Sequence, residues 1–360
     1  MTDAAEKYKL LFDEVAPVIK NTIPEEPFIN PDELLSVFNR LQDSFTDDIA
    51  RVYSYEELLV GDDISDYGNK VTDVFSAWDD SDHGPSLTAF AVFAIDKFNL
   101  DITNPVTLGL FTGAILAEIP NDLRYHGNEH YRKVVFHVIR LIKQHNNAYD
   151  ATTRMLTHDH VALLVTSAII HDLGHAGGDN LRDGIYAPGA LEQYSCDVAR
   201  PYFEAVGMKK DDIGEIDTII FCTDLTFFAG ENSPCVRMKK IYKFYFWEDD
   251  REDVSMMMMG KLRRFQDNPR LVLMGILLHE ADIATSAGLS YAQTIKETKA
   301  IMEERGVPAA GPRTVIAFLR EQLGETMFSD AARQIFGKKM ATVIETAEKE
   351  IEEGRQSFYD

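Results

Sequence analysis

The sequence predicts an all-α protein, a compact fold of many helices. Apolar residues recur at spacings of three and four over long stretches, which is the period of a helix with one buried face. The alternation of apolar and polar residues that marks a strand is scarce. Short breaker segments, such as residues 119–121 and 229–234, separate the helical stretches, and no long linker divides the chain.

The helical stretches can be placed in chain order from this period. They cover residues 31–43, 87–98, 106–119, 130–143, 159–171, 191–206, 271–287 and 314–323. Residues 161–170 and 271–278 are apolar all round, which predicts buried helices. Neither run approaches the roughly 20 apolar residues that cross a bilayer, and the N-terminus has no apolar signal core. We therefore expect a cytoplasmic protein that does not act at a membrane.

Charge and cysteine content narrow the class of partner. The net charge of −23 predicts a surface that repels phosphate backbones, which argues against a nucleic-acid polymer as the main partner. A small phosphate ester remains compatible, because bound metal ions can reverse the local field. The three widely spaced cysteines form neither a zinc pattern nor a disulfide framework, as expected in a reducing compartment.

Histidines are concentrated in one part of the chain. Eight of the ten lie between His126 and His175, and metal ligation or acid–base chemistry is the usual reason for such clustering. His126 and His130 are four residues apart, so a helix would present both on one face. Taken alone, this pair is equally compatible with core or surface histidines.

The strongest motif follows the apolar helix predicted over residues 161–170. His171 and Asp172 come at its inner end, where an unpaired carboxylate is strongly disfavoured unless it is hydrogen-bonded or binds a metal. His175 lies one turn further on. Another apolar helix, over residues 271–278, leads to Asp282, which is a natural fourth ligand, although alone it could be an ordinary aspartate at a helix end.

The order of these residues, His130, His171-Asp172 and Asp282, resembles the fingerprint of the HD superfamily of phosphohydrolases. Further motifs are similar to the catalytic domain of class I 3′,5′-cyclic-nucleotide phosphodiesterases, which places this chain as a divergent member. They are Tyr125-His126 ahead of His130, the spacing of His171, Asp172, His175, Gly177 and Asn180, the run Thr223 to Thr226, and Glu192.

The resemblance implies a ligand set for two divalent metals. His130, His171, Asp172 and Asp282 would hold the first metal, which is usually zinc, with iron or manganese as alternatives. Asp172 would also bridge to a second metal, Mg²⁺ or Mn²⁺, otherwise held through waters. The residues implied to position those waters are His175, Glu192 and Thr223.

The resemblance also implies the reaction. A hydroxide that bridges the metals would attack the phosphorus of cAMP or cGMP, and His126 would protonate the leaving 3′-oxygen as general acid, giving the 5′-nucleotide. The implied partner is this small molecule, in a signalling role, and a homodimer is compatible with the family. The implied catalytic domain covers residues 85–345, between an N-terminal helical cap or subdomain (1–84) and a charged C-terminal helix end (346–360).

The base-binding residues are the main departure from the family pattern. Tyr125 and a stacking Phe318 match it, but Val315 stands where a purine-reading glutamine is expected. Gln322, one turn beyond Phe318, could replace that glutamine or could be an ordinary surface residue. Gly174 also stands where the family usually has a second aspartate.

Three other functions therefore remain open at the level of sequence. The protein could be an HD-type phosphohydrolase for another nucleotide or phosphoester, since the motif HDLGH, here His171 to His175, is common in such enzymes. It could be a catalytically weak metal-binding sensor. A di-iron oxygenase could use the same ligands.

Overall fold

The computed structural model describes residues 2–22, 30–80, 84–150, 152–247, 254–307 and 309–359. Helices dominate these ranges, which confirms the prediction of an all-α protein. The strands in the same ranges form one small antiparallel hairpin, β1 (Leu181–Arg182) and β2 (Ile185–Tyr186), with Leu181 opposite Tyr186.

The α-helices follow one another with short connections. In chain order they are α1 (Thr2–Asn21), α2 (Pro31–Ser54), α3 (Glu56–Leu59), α4 (Tyr67–Asp80), α5 (Leu87–Lys97), α6 (Pro105–Leu116), α7 (Asn128–Ala148), α8 (His158–Ile170), α9 (Ala190–Ala205), α10 (Lys210–Phe221), α11 (Pro234–Phe246), α12 (Pro269–Ala287), α13 (Tyr291–Glu304), α14 (Pro312–Ile316), α15 (Asp330–Ala332) and α16 (Lys338–Glu352). Short 3₁₀ segments cover Phe227–Asn232 and Gly260–Phe265.

Capping residues explain where several helices begin. Side-chain oxygens of Asn30, Ser86 and Asn104 accept hydrogen bonds from backbone amides in the first turns of α2, α5 and α6. Proline occupies the first turn of α2, α6 and α12, where its missing amide hydrogen costs nothing. These caps place the helix starts within one or two residues of the predicted positions.

Helices α7, α8 and α12 form the centre of the fold. Helix α8 packs against α7 and α12, and every residue from Val161 to Ile170 is buried. Helix α12 is buried from Leu271 to Ala281. The prediction that these two apolar segments are buried helices is confirmed, and the polar residues at their ends therefore lie inside the protein.

The N-terminal helices belong to the same hydrophobic core. Helix α2 packs against α5 and α6, and α1 packs against α2, α6 and α9. The buried apolar side chains of the described residues form one connected cluster, with members from Tyr8 to Phe358. Helix α16 continues through residue 345, where one domain boundary was predicted. The boundaries at residues 84 and 345 stay predictions.

The helix predicted over residues 314–323 is irregular. It starts as α14 and continues as a π-helical turn, Ala317–Gln322, in which the Leu323 amide donates to the Phe318 carbonyl at 3.2 Å. The wider turn keeps residues four apart on a common face, and π-helical turns occur often at functional sites.

No single helix among the described residues is both long and apolar enough to cross a bilayer. Helices α12 and α13 reach the required length and hydropathy only when taken together, as a pair that is bent by 103°.

Candidate metal centre and its cavity

The first turn of α7 places His130 in the core. The chain enters this turn extended at Gly127, and the Asn128 side chain donates to the carbonyls of Ala117 (2.7 Å) and Ile119 (3.0 Å). The Asn128 Oδ1 atom accepts from the Asn121 amide at 2.7 Å. These bonds tie the start of α7 to the end of α6 and hold His130 in a buried position.

The end of α8 supplies His171 and Asp172. The Nδ1 atom of His171 lies 2.9 Å from the Ala168 carbonyl oxygen, so Nδ1–H donates to the helix backbone. The Tyr131 hydroxyl donates to the Asp172 carbonyl at 2.6 Å. The bond from Nδ1 fixes the ring orientation and leaves Nε2 as the nitrogen that faces the carboxylates and could bind a metal.

The two histidine nitrogens converge with two carboxylates. His130 Nε2 lies 3.0 Å from Asp282 Oδ1, and His171 Nε2 lies 3.2 Å from Asp172 Oδ2. The two Nε2 atoms are 3.3 Å apart, and the remaining nitrogen–oxygen distances are 3.6 and 3.7 Å. A tetrahedral ion with bonds of about 2.0–2.2 Å separates its ligand atoms by about 3.3–3.6 Å. His130, His171 and Asp282 form a group that could hold a metal ion, and Asp172 Oδ2 lies beside it, 3.2 and 3.6 Å from the two Nε2 atoms.

Both carboxylates are held in the ionised form. Burial alone would raise the pKa of Asp172, but the His171 ring brings it well below its ordinary value. Burial also opposes ionisation of Asp282, and hydrogen bonding to His130 and His171 keeps its pKa low. Two anionic oxygens beside two histidine nitrogens make a donor set suited to Zn²⁺, Fe or Mn²⁺.

Glu192, in the first turn of α9, carries an unsatisfied buried atom. Its Oε1 atom accepts from Asn180 Nδ2 at 3.3 Å, whereas Oε2 is enclosed and has no hydrogen-bond partner among the described residues. Burial, with further contributions from Asp224 and Asp172, raises the pKa of Glu192 to about 8. An orphaned carboxylate oxygen on the cavity wall beside Asp172 fits a second cation or its waters.

Asp224, within the run Thr223 to Thr226, organises the loop before α9, which carries Glu192 in its first turn. Its Oδ2 atom accepts from the Tyr186 hydroxyl (2.8 Å) and the Gly189 amide (2.9 Å). Gly189 has φ +62°, and a Cβ atom there would lie 2.2 Å from the Phe221 ring, so only glycine fits. Thr223, next to Asp224, donates its hydroxyl to the Ile220 carbonyl at 2.8 Å and lines the cavity.

His126 is paired with a residue far away in sequence. Its Nδ1 atom lies 2.5 Å from Glu304 Oε1, and the amides of Tyr125 and His126 donate to Glu304 Oε2 at 2.8 and 3.1 Å. Burial would lower the pKa of His126, but hydrogen bonding to Glu304 and the charge of Asp172 raise it above its ordinary value. Since Nδ1 is occupied by Glu304, Nε2 is the ring atom left for proton transfer.

His175 stacks on His126, with ring centroids 4.1 Å apart and an interplanar angle of 15°. Its Nδ1 atom accepts from the Gly177 amide at 2.9 Å. His126, His175 and Glu304 also form a group that could hold a metal. However, 2.5 Å between Nδ1 and Oε1 is a hydrogen-bond distance, shorter than the spacing of two ligands on one ion. We therefore assign this group as a hydrogen-bonded acid–base pair with a stacked partner.

A cavity of about 420 Å³ joins these groups. Its lining combines polar side chains with the apolar side chains of Leu191, Leu225, Ile283, Ile301, Met302, Ala317 and Phe318. The predicted site residues that line it are Tyr125, His126, Asp172, His175, Glu192, Thr223, Asp282, Phe318 and Gln322. The predicted ligands His130 and His171 do not line it, but their nitrogens contact the carboxylates that do.

The cavity lining separates two positions that the sequence had linked to base recognition. Val315, where the family pattern would have glutamine, is buried in the core and is not among the described residues that line the cavity. Gln322 is half-buried and lines the cavity with Phe318, so it is more than a surface residue. Tyr125 lies nearby, with its hydroxyl 3.3 Å from Ser286 Oγ.

Comparison with known proteins does not identify a family. The chain matches no protein-family model, and a search of curated proteins finds no significant match. The function is therefore inferred from the residues of the site and their geometry.

Proposed function

We propose that this protein is an HD-type, metal-dependent phosphodiesterase similar to the class I enzymes, which hydrolyses a 3′,5′-cyclic nucleotide to the 5′-nucleotide. One observation carries the proposal. Each of two histidine Nε2 atoms, from His130 and His171, lies within 3.7 Å of the other three ligand atoms, beside a cavity that also presents His126.

The donor groups suit two divalent ions. His130, His171, Asp172 and Asp282 would hold zinc, iron or manganese, and Asp172 with the orphaned oxygen of Glu192 suits Mg²⁺ or Mn²⁺ with its waters. When bound, the ions would lower the pKa of a water and neutralise charge on the phosphoryl oxygens. His175 and Thr223, which line the same side of the cavity, would orient those waters.

His126 is the proton donor in this proposal. Glu304 accepts the hydrogen bond from Nδ1 and stabilises the protonated ring, so that Nε2 carries the second proton. When the bond between phosphorus and the 3′-oxygen breaks, the oxygen takes the proton from Nε2. The ring is then neutral and regains a proton from solvent.

The cavity supports a substrate of mononucleotide size. Its volume of about 420 Å³ falls in the range of small-molecule sites, and the Phe318 ring offers a stacking surface at the apolar end. Acidic side chains around the polar side, including Asp179 and Asp224, disfavour a polyanion such as a nucleic acid.

A substrate panel tests the proposal. Protein freed of metal with a chelator and then reloaded with Zn²⁺, Mn²⁺ or Mg²⁺ would be assayed with cAMP, cGMP, cyclic pyrimidine nucleotides and simple phosphomonoesters. We expect metal-dependent release of 5′-nucleotides from cyclic substrates. Turnover of phosphomonoesters alone would favour the alternative of another HD phosphohydrolase, and no turnover by metal-loaded protein would favour a sensor.

Glu304 provides a prediction about positioning. Glu304→Gln is expected to lower kcat by about 10- to 100-fold, because the protonated form of His126 loses its charge-assisted hydrogen bond. The carboxylate raises the pKa of His126, and the acid form is lost as pH rises through that pKa. The alkaline limb of the pH–rate profile should therefore move to lower pH.

A neighbouring glutamate gives the matched control. Glu303 is exposed on the same turn of α13, and Glu303→Gln should leave both kcat and the pH profile unchanged. If Glu304→Gln lowers kcat without moving the alkaline limb, Glu304 has a structural role only.

A further inference from the structure

We propose that the cavity selects guanine, and that the Glu321 carboxylate reads the base; this inference rests on the cyclic-nucleotide hydrolase proposed above. It concerns the apolar end of the cavity, where Phe318, Glu321 and Gln322 come from the same π-helical turn and all line the cavity. A base stacked on the Phe318 ring would present its polar edge to these two neighbouring side chains.

The Glu321 side chain lines the cavity and is exposed to solvent, so its carboxylate is available for a ligand. No hydrogen bond or ion pair involving it is found in the part of the chain that the structure describes. Arg320, next to it, is engaged by Glu325 and by Glu348, the latter at 2.7 Å. Arg305, the one Lys or Arg among the described residues that line the cavity, pairs with Asp179 at 3.5 Å. A carboxylate without a cationic partner at the end of a ligand cavity is placed to accept hydrogen bonds from the ligand.

The chemistry of the bases then decides which ligand fits. An ionised carboxylate accepts hydrogen bonds and donates none. Guanine has two adjacent donors, N1–H and the N2 amino group, which can pair with both carboxylate oxygens. Adenine and cytosine offer one amino group beside a ring nitrogen that is itself an acceptor, and uracil offers one N–H between two carbonyls. Only guanine can therefore make two parallel bonds without placing an acceptor against the carboxylate.

The neighbouring Gln322 does not decide between the bases. A side-chain amide has both donors and an acceptor, and by rotating it can serve adenine or guanine equally. Its amino group can donate to guanine O6 while Glu321 accepts from N1–H and N2. The acidic residue thus supplies the discrimination, and the amide completes the set of hydrogen bonds.

Steady-state kinetics with three cyclic nucleotides test the inference. We expect kcat/KM to be highest for cGMP, lower for cIMP, which lacks the N2 amino group, and about 10- to 100-fold lower for cAMP than for cGMP. Glu321→Gln should reduce kcat/KM for cGMP about tenfold or more and leave that for cAMP unchanged or higher. Glu345→Gln, at an exposed position of α16 outside the cavity, is the control and should change neither.

Binding of reaction products separates this inference from the proposed function. Calorimetric titration of 5′-GMP and 5′-AMP into metal-loaded protein reports base recognition without turnover. If 5′-GMP binds more tightly than 5′-AMP and Glu321→Gln removes that difference, the result supports the inference. It does so even if the protein hydrolyses no cyclic nucleotide, because absence of hydrolysis would overturn only the proposed function. Equal use of cAMP and cGMP with equal binding of AMP and GMP, or equal effects of Glu321→Gln on both bases, would overturn the inference.

Discussion

Asp172→Ala is expected to abolish metal binding and turnover together. Asp172 supplies an oxygen 3.2 Å from His171 Nε2 and is the carboxylate proposed to be shared by both ions. Metal binding to the folded state alone stabilises a protein, by ~2.7 kcal/mol at a metal concentration 100 times Kd. Wild-type protein should therefore melt at a higher temperature with metal than after chelation, and the variant should show no such difference.

Two controls separate loss of the metal from loss of the fold. Asp172→Asn keeps the shape of the side chain but removes its charge, and it should fold and lose the metal-dependent rise in Tm. Asp43→Ala, at an exposed position of α2, should behave as wild type. Elemental analysis would measure metal content directly. A well-folded Asp172→Ala protein with full metal content and activity would overturn the assignment of the metal centre.

His126→Ala is expected to lower kcat by about 10²- to 10⁴-fold, the usual contribution of a general acid, and to leave metal content unchanged. The reason lies in its contacts: Nδ1 is bound to Glu304 at 2.5 Å, so the ring is part of a hydrogen-bonded pair and not of the ligand set. Turnover of cyclic nucleotides and elemental analysis of the same preparation would measure both quantities.

The comparison variant for this experiment is His158→Ala, which removes an exposed histidine at the start of α8. It should keep full activity and metal content. A His126→Ala protein that loses metal would show that His126 is a ligand, and the second group of His126, His175 and Glu304 would then be a metal site. A protein that keeps wild-type kcat would exclude His126 as the general acid.

Much of the metal centre could be predicted because its ligands follow a rule of burial. His171 and Asp172 lie at the end of α8 and Asp282 lies within α12, and both helices are apolar enough to be buried all round. A polar residue delivered into the core by such a helix needs a partner, and a metal is the partner that suits two histidines and two carboxylates. The local pattern therefore contained the residues that the structure brings together and a physical reason for proposing them as ligands.

Glu304 could not be found in the same way. It is the last residue of α13 and lies 178 positions from His126, and no motif connects the two. Their contact exists because α12 and α13 pack together and bring the end of α13 to the loop before α7. Glu321 was likewise unremarkable as sequence, because an isolated acidic residue is usually a solvated one.

The sequence alone therefore predicted the helical class of the fold and its two buried helices, and it pointed to four side chains that the structure brings together, because periodicity and the cost of burying charge act locally along the chain. Only the tertiary structure decided which distant side chains meet at the cavity. It paired His126 with Glu304, left Val315 outside the cavity lining and brought the turn with Phe318, Glu321 and Gln322 to the same cavity as His126. Such contacts depend on how helices pack, and packing is a property of the whole core.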